Sequence, residues 1–517
     1  MSNGVDSRSS KVAKSALIVP LVQPSVEQML TAMHQAARMG ADMVECRLDY
    51  LTDPPTQQEL ENLMKNRPEG IGIIATCRPT RQGGKFTGNE NDRISILSSA
   101  AQAGADYIDI EMDVPESSWP GGKIILSHHD FTSKPANLQE IFNKLDASRA
   151  TVNKIVFKAT CPEDAIEALN LIGKSAKPTI ALAMGEPGLM SRILAAKFNA
   201  FGTFAAMEKG LESAPGQPTV EEMKTLYRWD AINSETLVYG VIGCPIAHSM
   251  SPAVHNAAFA DKGINAVYLP LRIEAGGENF NRFMDAAIAA DRLSLRGLSV
   301  TIPHKENAIA YLGEENCDEL SRQIGAINTI AIAPDGALHG INTDYAAAID
   351  ALCSAMRIKP AELAGREVAV IGAGGVARAI VAALAHYKAK ITIYNRTFER
   401  AEKLAKEFGC LALPLEKVEQ ISHEIVINCT SIGMFPNVDE SVLTEEVLSR
   451  VRVVFDTVYN PPRTRLLELA EKAGCLTVSG VEMFVNQAAG QFEFWLGVPA
   501  PRELIKKTIL DRLNITS

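Results

Sequence analysis

Between Ser15 and Arg228 short apolar runs alternate with amphipathic helical stretches, and this alternation restricts the fold more than any other feature of the chain. Eight runs read as strands: Ala16–Val22, Asp42–Leu48, Ile71–Arg78, Tyr107–Met112, Lys123–His129, Lys154–Thr160, Thr179–Met184 and Phe201–Met207. Helical periodicity fills most of the gaps, at Ser25–Met39, Asp92–Ala103, Leu138–Leu145, Glu163–Leu171 and Val220–Tyr227. The fourth connection, Asp113–Gly122, has little helical character. Strands alternating with helices pair in parallel, and eight of them in roughly 210 residues match a closed (β/α)8 barrel better than an open sheet.

The polar residues inside these strands carry the chemistry. Period-2 alternation puts Glu45, Arg47 and Asp49 on one side of their strand, and Lys154, Val156 and Lys158 on one side of theirs. Arg78 ends the third strand and His128-His129 the fifth. A charged group in an apolar barrel strand is costly unless it is paired or functional, and here such groups converge from four strands. Lysine and histidine, without metal-ligand spacing or a nucleophilic serine elbow, point to Schiff-base chemistry. A desolvated amine attacks a ketone, and the iminium acidifies the neighbouring C–H for a histidine base. Barrel catalysis at strand C-terminal ends leaves Lys158 as a rival to Lys154.

The second half is anchored elsewhere. Val368–Ile371 is a short β-branched run of the kind a buried parallel strand requires, followed at once by Gly372-Ala373-Gly374-Gly375 and a helical run from Val376 to Tyr387. A second strand, Lys390–Tyr394, completes a βαβ unit whose glycines let backbone N–H groups approach a pyrophosphate at the helix N-terminus. An enzyme that uses NAD places Asp or Glu about 20 residues after the glycines. Asn395-Arg396-Thr397 stands there instead, with Arg400 a turn later. Two guanidiniums and no carboxylate suit a 2′-phosphate, so the expected cofactor is NADP.

Before that unit, Leu237–Gly243, Ala266–Ile273, Leu298–Ile302 and Ala326–Ala333 read as strands of a small α/β domain. Ser251, ahead of Pro252, reads as a helix N-cap, and Asp344 in Gly340-Ile-Asn342-Thr343-Asp344 as another. Lys305 follows a strand at a helix start in Ser299-Val-Thr301-Ile-Pro303-His304-Lys305. A Lys–Asp pair beside an NADP seat is what reversible ketone reduction requires. Later segments finish a Rossmann sheet, with strands at Glu424–Cys429 and Val453–Asp456. Amphipathic helices follow at Met483–Leu496 and Glu503–Leu513.

Bulk properties limit the alternatives. At 517 residues the chain exceeds one core. Its net charge of −10 argues against nucleic-acid and anionic-membrane partners. Nine cysteines with no paired spacing indicate reduced thiols. No apolar run approaches the roughly 18 residues of a membrane span. Residues 1–14 are polar and read as a disordered tail rather than a signal or transit peptide.

The first half resembles type I 3-dehydroquinate dehydratase. The resemblance rests on Glu45-Cys-Arg47, Cys77-Arg78-Pro, His128-His129-Asp-Phe131, Asn153-Lys154-Ile-Val, Ser191-Arg192 and Ser213-Ala-Pro-Gly-Gln217. It implies Lys154 as Schiff-base former and His129 as proton shuttle. Glu45, Arg47, Arg78, Arg192, Ser213 and Gln217 would hold the substrate's carboxylate and hydroxyls. The family usually pairs its histidine with a Glu four residues after the Arg of Cys-Arg-Pro; here that place is Gln82, which stabilises an imidazolium less.

The second half resembles shikimate dehydrogenase over residues 237–515. It carries Ser249-x-Ser251, Thr301-Ile-Pro-His-Lys305, Gly325-Ala-Ile-Asn328-Thr, Asn342-Thr-Asp344, the glycine loop, Asn395-Arg-Thr397, Tyr459-Asn-Pro and Gly480-x-x-Met-x-x-x-Gln487. The resemblance implies proton transfer by Lys305 and Asp344. Substrate contacts would come from Ser249, Ser251, Thr301, Asn328, Tyr459 and Gln487. Cofactor contacts would come from Gly372, Ala373, Gly374, Gly375, Val376, Ala377, Asn395, Arg396, Thr397, Arg400 and Gly480. Quinate-preferring relatives tend to lose the second serine, so Ser251 favours shikimate.

The expected architecture is a barrel at 15–230, a substrate-binding α/β domain at 237–345 with the helices of 483–515 packing back on it, and a Rossmann NADP domain at 346–482. The expected function is bifunctional: dehydration of 3-dehydroquinate to 3-dehydroshikimate, then reduction with NADPH to shikimate. The partners are these small molecules, with no metal, nucleic acid or membrane, and the oligomeric state is open. A quinate/shikimate dehydrogenase with an inactive barrel, and a dinucleotide-sensing regulator, are the alternatives. The expected compartment is the cytoplasm, with a plastid stroma as the alternative.

Overall fold

The computed structural model describes residues 14–516, with side chains to 513, so the tail expected at 1–14 lies outside the described residues apart from Lys14. The chain groups into two compact units: residues up to 238 with 265–274 and 282–295, and residues 239–264 with 275–281 and 296 onward.

The first unit is built on eight parallel strands: β1 (Ala16–Leu21), β2 (Met43–Arg47), β3 (Gly72–Thr76), β4 (Tyr107–Glu111), β5 (Ile124–Asp130), β6 (Val152–Lys158), β7 (Thr179–Met184) and β8 (Gly202–Phe204). Their order is β7-β6-β5-β4-β3-β2-β1-β8, and the Phe201 N–H donating to Thr179 O at 2.9 Å draws the ends together. Every strand anticipated from the sequence is present. β6 starts two residues early, which moves Lys154 to the third position of the strand rather than its first. The Asp113–Gly122 connection holds only a 3-10 turn, Glu116–Ser118, and the helix expected at 220–227 is a π-type segment, Glu222–Leu226. Helices at Gln57–Lys65 and Leu189–Ile193 were not anticipated. Ile18, Met43, Ile74, Ile125, Val152, Val156, Ile180, Leu182, Met184 and Phe204 form the apolar packing inside the strand ring.

Two further sheets follow these strands along the chain. Strands β9 (Leu237–Gly243), β10 (Ala266–Arg272), β11 (Leu295–Val300), β12 (Thr329–Ile332) and β13 (Leu338–Ile341) form a five-stranded sheet of order β10-β9-β11-β12-β13. β12 pairs antiparallel with both β11 and β13; the hairpin partner β13 was not foreseen. Strands β14 (Glu367–Ile371), β15 (Lys390–Asn395), β16 (Leu411–Pro414), β17 (Ile425–Asn428), β18 (Val453–Asp456) and β19 (Leu476–Val478) form a parallel sheet of order β16-β15-β14-β17-β18-β19. That order reverses between β14 and β17, the place where open α/β sheets bind ligands beyond their strand ends. The continuous apolar runs of β14, β17 and β18 match their burial on both faces, between the helices Thr343–Met356 and Gly375–His386 on one side and Arg465–Lys472 on the other.

Two caps differ from expectation. Asn342, not Asp344, caps the helix Thr343–Met356: its side-chain oxygen accepts from the Asp344 N–H at 3.0 Å, which puts Asp344 inside the first turn with its carboxylate free for other partners. Ser251 is the first residue of its helix rather than the cap, Pro252 follows at the second position, and the Ser251 N–H donates to Ser249 Oγ at 3.3 Å. Proline needs no N–H acceptor there, and the serine hydroxyl is left to the cavity.

Candidate active sites

Strands β2, β5 and β6, with the segments that follow β3, β7 and β8, bring Glu45, Arg47, Arg78, His129, Lys154, Arg192, Ser213 and Gln217 to one cavity of about 60 Å³, with Phe131, Phe204, Leu182 and Met184 as apolar wall. Lys154 is 4% exposed. Its Nζ donates to Asp109 Oδ2 at 2.7 Å and Glu45 Oε1 at 3.2 Å, and lies 4.6 Å from the Phe204 ring centroid. Lys158, two positions further along the same face, is exposed and does not line the cavity. The carboxylates beside the lysine are held by cations in turn. Arg78 reaches Asp109 at 3.0 Å, Glu111 at 2.9 Å and Glu45 at 3.9 Å, and Arg93 reaches Glu111 at 2.6 Å. Burial alone pushes the Asp109 carboxyl up, but Arg78 and Lys154 together hold it well below the usual carboxylate range.

His129 is half-buried, with its Nδ1 turned away from solvent. Burial first, and then the charges of Arg78 and Lys154, push its imidazole well below the ordinary 6.5, against the opposing pull of Asp109. Its ring stacks on Phe131 with centroids 6.0 Å apart, and its Nδ1 has no protein partner, so a neutral ring nitrogen is left for a substrate proton. Arg192 is 1% exposed, its Nε has no partner, and burial lowers its pKa to about 10. A buried guanidinium without a carboxylate is unfavourable until an anion arrives, which suits a substrate carboxylate. Gln217 Oε1 accepts from the Ser213 N–H at 2.9 Å while its Nε2 is buried without a partner. Arg47 is tied bidentately to Asp49 at 2.8 and 2.9 Å. Gln82 lies in the 3-10 turn after β3, outside the cavity lining, with its buried Oε1 unpartnered.

Asp109, the closest partner of Lys154, was missed from the sequence. The signal was present: Asp109 and Glu111 alternate on β4 as Glu45 and Arg47 do on β2.

The other candidate site is a cavity of about 390 Å³ lined by Ser249, Ser251, Thr301, Lys305, Asn328, Asp344, Val376, Tyr459, Gly480 and Gln487, together with His248, Ser299, Met483, Phe484 and Gln491. Lys305 opens the helix Lys305–Leu312, and its Nζ meets Asp344 Oδ2 at 2.5 Å. The other carboxylate oxygen accepts from Asn328 Nδ2 at 2.9 Å, and Asn328 Oδ1 accepts from the Thr343 N–H at 2.8 Å. Asn328 therefore locks the first turn that carries Asp344. Tyr459 stacks on Phe484 with centroids 5.1 Å apart. Thr430 N–H and Oγ both donate to Asn428 Oδ1, and Asn428 donates to buried Asp456 at 3.0 Å, which fixes the turn after β17.

The residues present fit a dinucleotide. Gly372 has φ +114°, a conformation that strains any other L residue. A Cβ added at Gly374 or Gly375 would meet nothing within 4 Å, so the helix N-terminus Gly375–His386 opens onto free space. Arg396 and Arg400 are exposed and, among the described residues, have no ion-pair partner, while Asn395 Nδ2 donates to Thr397 O at 2.7 Å and shapes the loop beside them. Ala373 and Val376 are half-buried around the same turn and Ala377 is buried beneath it. Gly480 has a different reason to be glycine: a Cβ there would fall 2.4 Å from Val458 O and 2.6 Å from Thr457 O. Among the described residues no group of His, Cys, Asp and Glu is arranged to hold a metal, and no helix is long and apolar enough to cross a membrane.

The family description "Type I 3-dehydroquinase" matches residues 17–234. The shikimate dehydrogenase substrate-binding domain matches 241–330, "Shikimate / quinate 5-dehydrogenase" 354–458, and the shikimate 5′-dehydrogenase C-terminal domain 480–510. A chloroplastic bifunctional 3-dehydroquinate dehydratase/shikimate dehydrogenase of Arabidopsis thaliana is 39% identical over 95% of this chain and 83% of its own length. The shikimate dehydrogenase (NADP+) of Methanosarcina acetivorans is 42% identical over 54% of this chain and 99% of its own. A crystal structure of a shikimate dehydrogenase in complex with NADP+ superposes with a TM-score of 0.50 at 39% identity, covering 55% of this chain and 97% of that one. The chain belongs to the bifunctional 3-dehydroquinate dehydratase/shikimate dehydrogenase family.

Proposed function

We propose that this chain converts 3-dehydroquinate to 3-dehydroshikimate in its barrel and reduces that ketone to shikimate with NADPH in its second half. The observation that carries the reading is the pairing of two ketone-handling sites on one chain. One is a buried lysine with a neutral histidine, and the other a Lys–Asp pair in a cavity that also takes in Val376 of the dinucleotide turn.

In the barrel the Lys154 amine adds to the substrate ketone and water leaves, giving an iminium that acidifies the adjacent C–H. His129 takes that proton, and returns it to the departing hydroxyl so that water is lost across the new double bond. Hydrolysis then frees Lys154. Arg192 pairs with the substrate carboxylate, while Glu45, Arg47, Arg78, Ser213 and Gln217 place its hydroxyls. Asp109 and Glu45 hold Lys154 Nζ in line between turnovers.

In the second half NADPH, when bound, supplies hydride to the ketone carbon. Gly372 to Ala377 with Gly480 would hold its pyrophosphate and nicotinamide ends, and Asn395, Arg396, Thr397 and Arg400 its 2′-phosphate. Lys305 hands a proton to the ketone oxygen as it becomes a hydroxyl, and Asp344 keeps the lysine aimed. Ser249 and Ser251 take the carboxylate. Thr301, Asn328, Tyr459 and Gln487 take the hydroxyls. We further propose working modules at 15–230, 237–345 with 483–515, and 346–482, and a cytoplasmic location, with a plastid stroma as the alternative.

Dehydroquinate and NADPH together test the whole reading. The expected result is NADPH oxidation with accumulation of shikimate; none would overturn it. Borohydride with dehydroquinate should leave a mass adduct on the wild-type chain and none on Lys154→Ala. Oxidation of shikimate but not quinate is expected in reverse.

A further inference from the structure

The helix Gly480–Leu496 carries a second glutamine one turn beyond Gln487, and nothing in the proposed reaction uses it. Gln491 is 2% exposed, lines the 390 Å³ cavity, and binds three different segments. Its Oε1 accepts from Ser299 Oγ at 2.8 Å, on β11, and lies 3.3 Å from His255 Nε2, on the helix Ser251–Asp261. Its Nε2 donates to the backbone O of Asn328 at 3.4 Å. The donor count fixes the directions. An amide oxygen only accepts, so the facing His255 nitrogen carries the hydrogen, and the amide nitrogen is the donor left for Asn328. Asn328 in turn holds Asp344 Oδ1 and Thr343 through its side chain. The chain of contacts thus runs from a buried amide, through one backbone carbonyl, to the carboxylate that aims Lys305.

We infer that Gln491 is a positioning residue of the dehydrogenase site: it pins Asn328, and so sets where Asp344 and Lys305 stand against the substrate. The inference rests on the proposed dehydrogenase reading. A core amide with a merely structural role would give a general loss of folding or of both substrates' binding. A positioning role gives a loss confined to the substrate side, and one that follows the donor at this position.

The test compares Gln491→Met with Gln491→Glu in the full chain, by steady-state oxidation of shikimate by NADP+ across pH, with dehydratase turnover as the measure of intact folding. Methionine fills the volume without donor or acceptor. Its kcat/KM for shikimate should fall about tenfold, the scale of a lost buried hydrogen bond, with KM for NADP+ and the dehydratase rate unchanged. Glutamate supplies the same donor and acceptor as glutamine only while its carboxyl is protonated. Burial favours that form, and the titratable groups around it are His255, Lys305 and Asp344. Gln491→Glu should therefore stay within a few-fold of wild type at low pH and fall toward Gln491→Met as pH rises. Wild-type shikimate kinetics in Gln491→Met, an equal loss toward NADP+, or a Gln491→Glu profile parallel to wild type would each overturn the inference. If Gln491→Met also loses dehydratase turnover, the Gln491→Glu profile alone decides. A wild-type chain that does not oxidise shikimate overturns the dehydrogenase reading itself, a result separate from any of these.

Discussion

Both candidate sites are built around a lysine, yet they surround it in opposite ways. In the barrel Lys154 sits in a cavity of about 60 Å³ among charges that are nearly all buried: Glu45, Arg78, Asp109, Glu111 and Arg93 lie between 0% and 4% exposed. In the second half Lys305 has one carboxylate partner, its side chain is 21% exposed, and its cavity of about 390 Å³ is otherwise lined by hydroxyls, amides, apolar groups and the imidazole of His248. The difference suits the role proposed for each lysine. A lysine that bonds to the substrate must be held in one place while its charge changes, and a dense set of fixed charges does that. A lysine that passes a proton while another molecule brings the electrons needs room for that molecule and only one group to aim it.

The largest test of this contrast is Lys154→Ala. The amine is the proposed covalent centre, so dehydratase turnover should fall by about 10³-fold or more, while NADPH-dependent reduction of added 3-dehydroshikimate is unchanged. Parallel loss of both activities would mean that the two sites do not stand independently. Asp344→Asn is the counterpart. It removes the charge that aims Lys305 but keeps an amide for Asn328, and kcat for shikimate oxidation should drop about 10²-fold with dehydratase turnover intact. Smaller again is the double replacement Arg396→Ala/Arg400→Ala. KM for NADPH should rise about tenfold and that for NADH hardly move, because only the first carries a 2′-phosphate for guanidinium. Equal shifts for both nucleotides would remove the phosphate role.

The contrast also explains what could be read from the sequence. Strand runs such as Thr179–Met184 and Val453–Asp456 were legible to the residue because parallel strands buried on both faces are apolar except at an end, here Thr179 and Asp456. The edge strands β16 and β19 were not, because Leu411, Leu413 and Leu476 are exposed in them and the pattern there is that of a loop. In the open cleft, Lys305 and Asp344 announced themselves by sitting just beyond strand ends. In the barrel the carboxylate partners of Lys154 come from two other strands, and although the alternation on β4 marks Asp109 as inward-facing, nothing local pairs it with a lysine 45 residues away. Asn342 as cap could have been chosen over Asp344 only with the loop geometry in hand, since both are favoured cap residues.

The smallest expected effect concerns one histidine in each region, half-buried His129 and buried His255. His129 is held well below its ordinary pKa by burial and by the charges of Arg78 and Lys154, and His255 is pushed down to about 3 by burial, against its hydrogen bond to Gln491. A histidine whose folded pKa lies below its unfolded value of about 6.5 takes up protons only on unfolding, so its contribution to stability is intact above pH 6.5 and is lost as pH falls. For His255 the loss amounts to about 1.4 kcal/mol for each pH unit below 6.5, continuing to about pH 3. Hydrogen exchange followed separately in the two regions from pH 7 to pH 5 should show both losing protection. His129→Asn should flatten the decline in the barrel alone, and His255→Asn that in the second half alone. The two replacements are not equal otherwise. His129 stands among charges, and removing it relieves Arg78 and Lys154 of nothing once the ring is neutral. His255 stands in a neutral network, where its hydrogen bond to Gln491 is lost as well. His255→Asn should therefore lower stability at pH 7 by about 1 kcal/mol more than His129→Asn does, and equal losses there would show that charge density around a buried ring makes no difference to its removal.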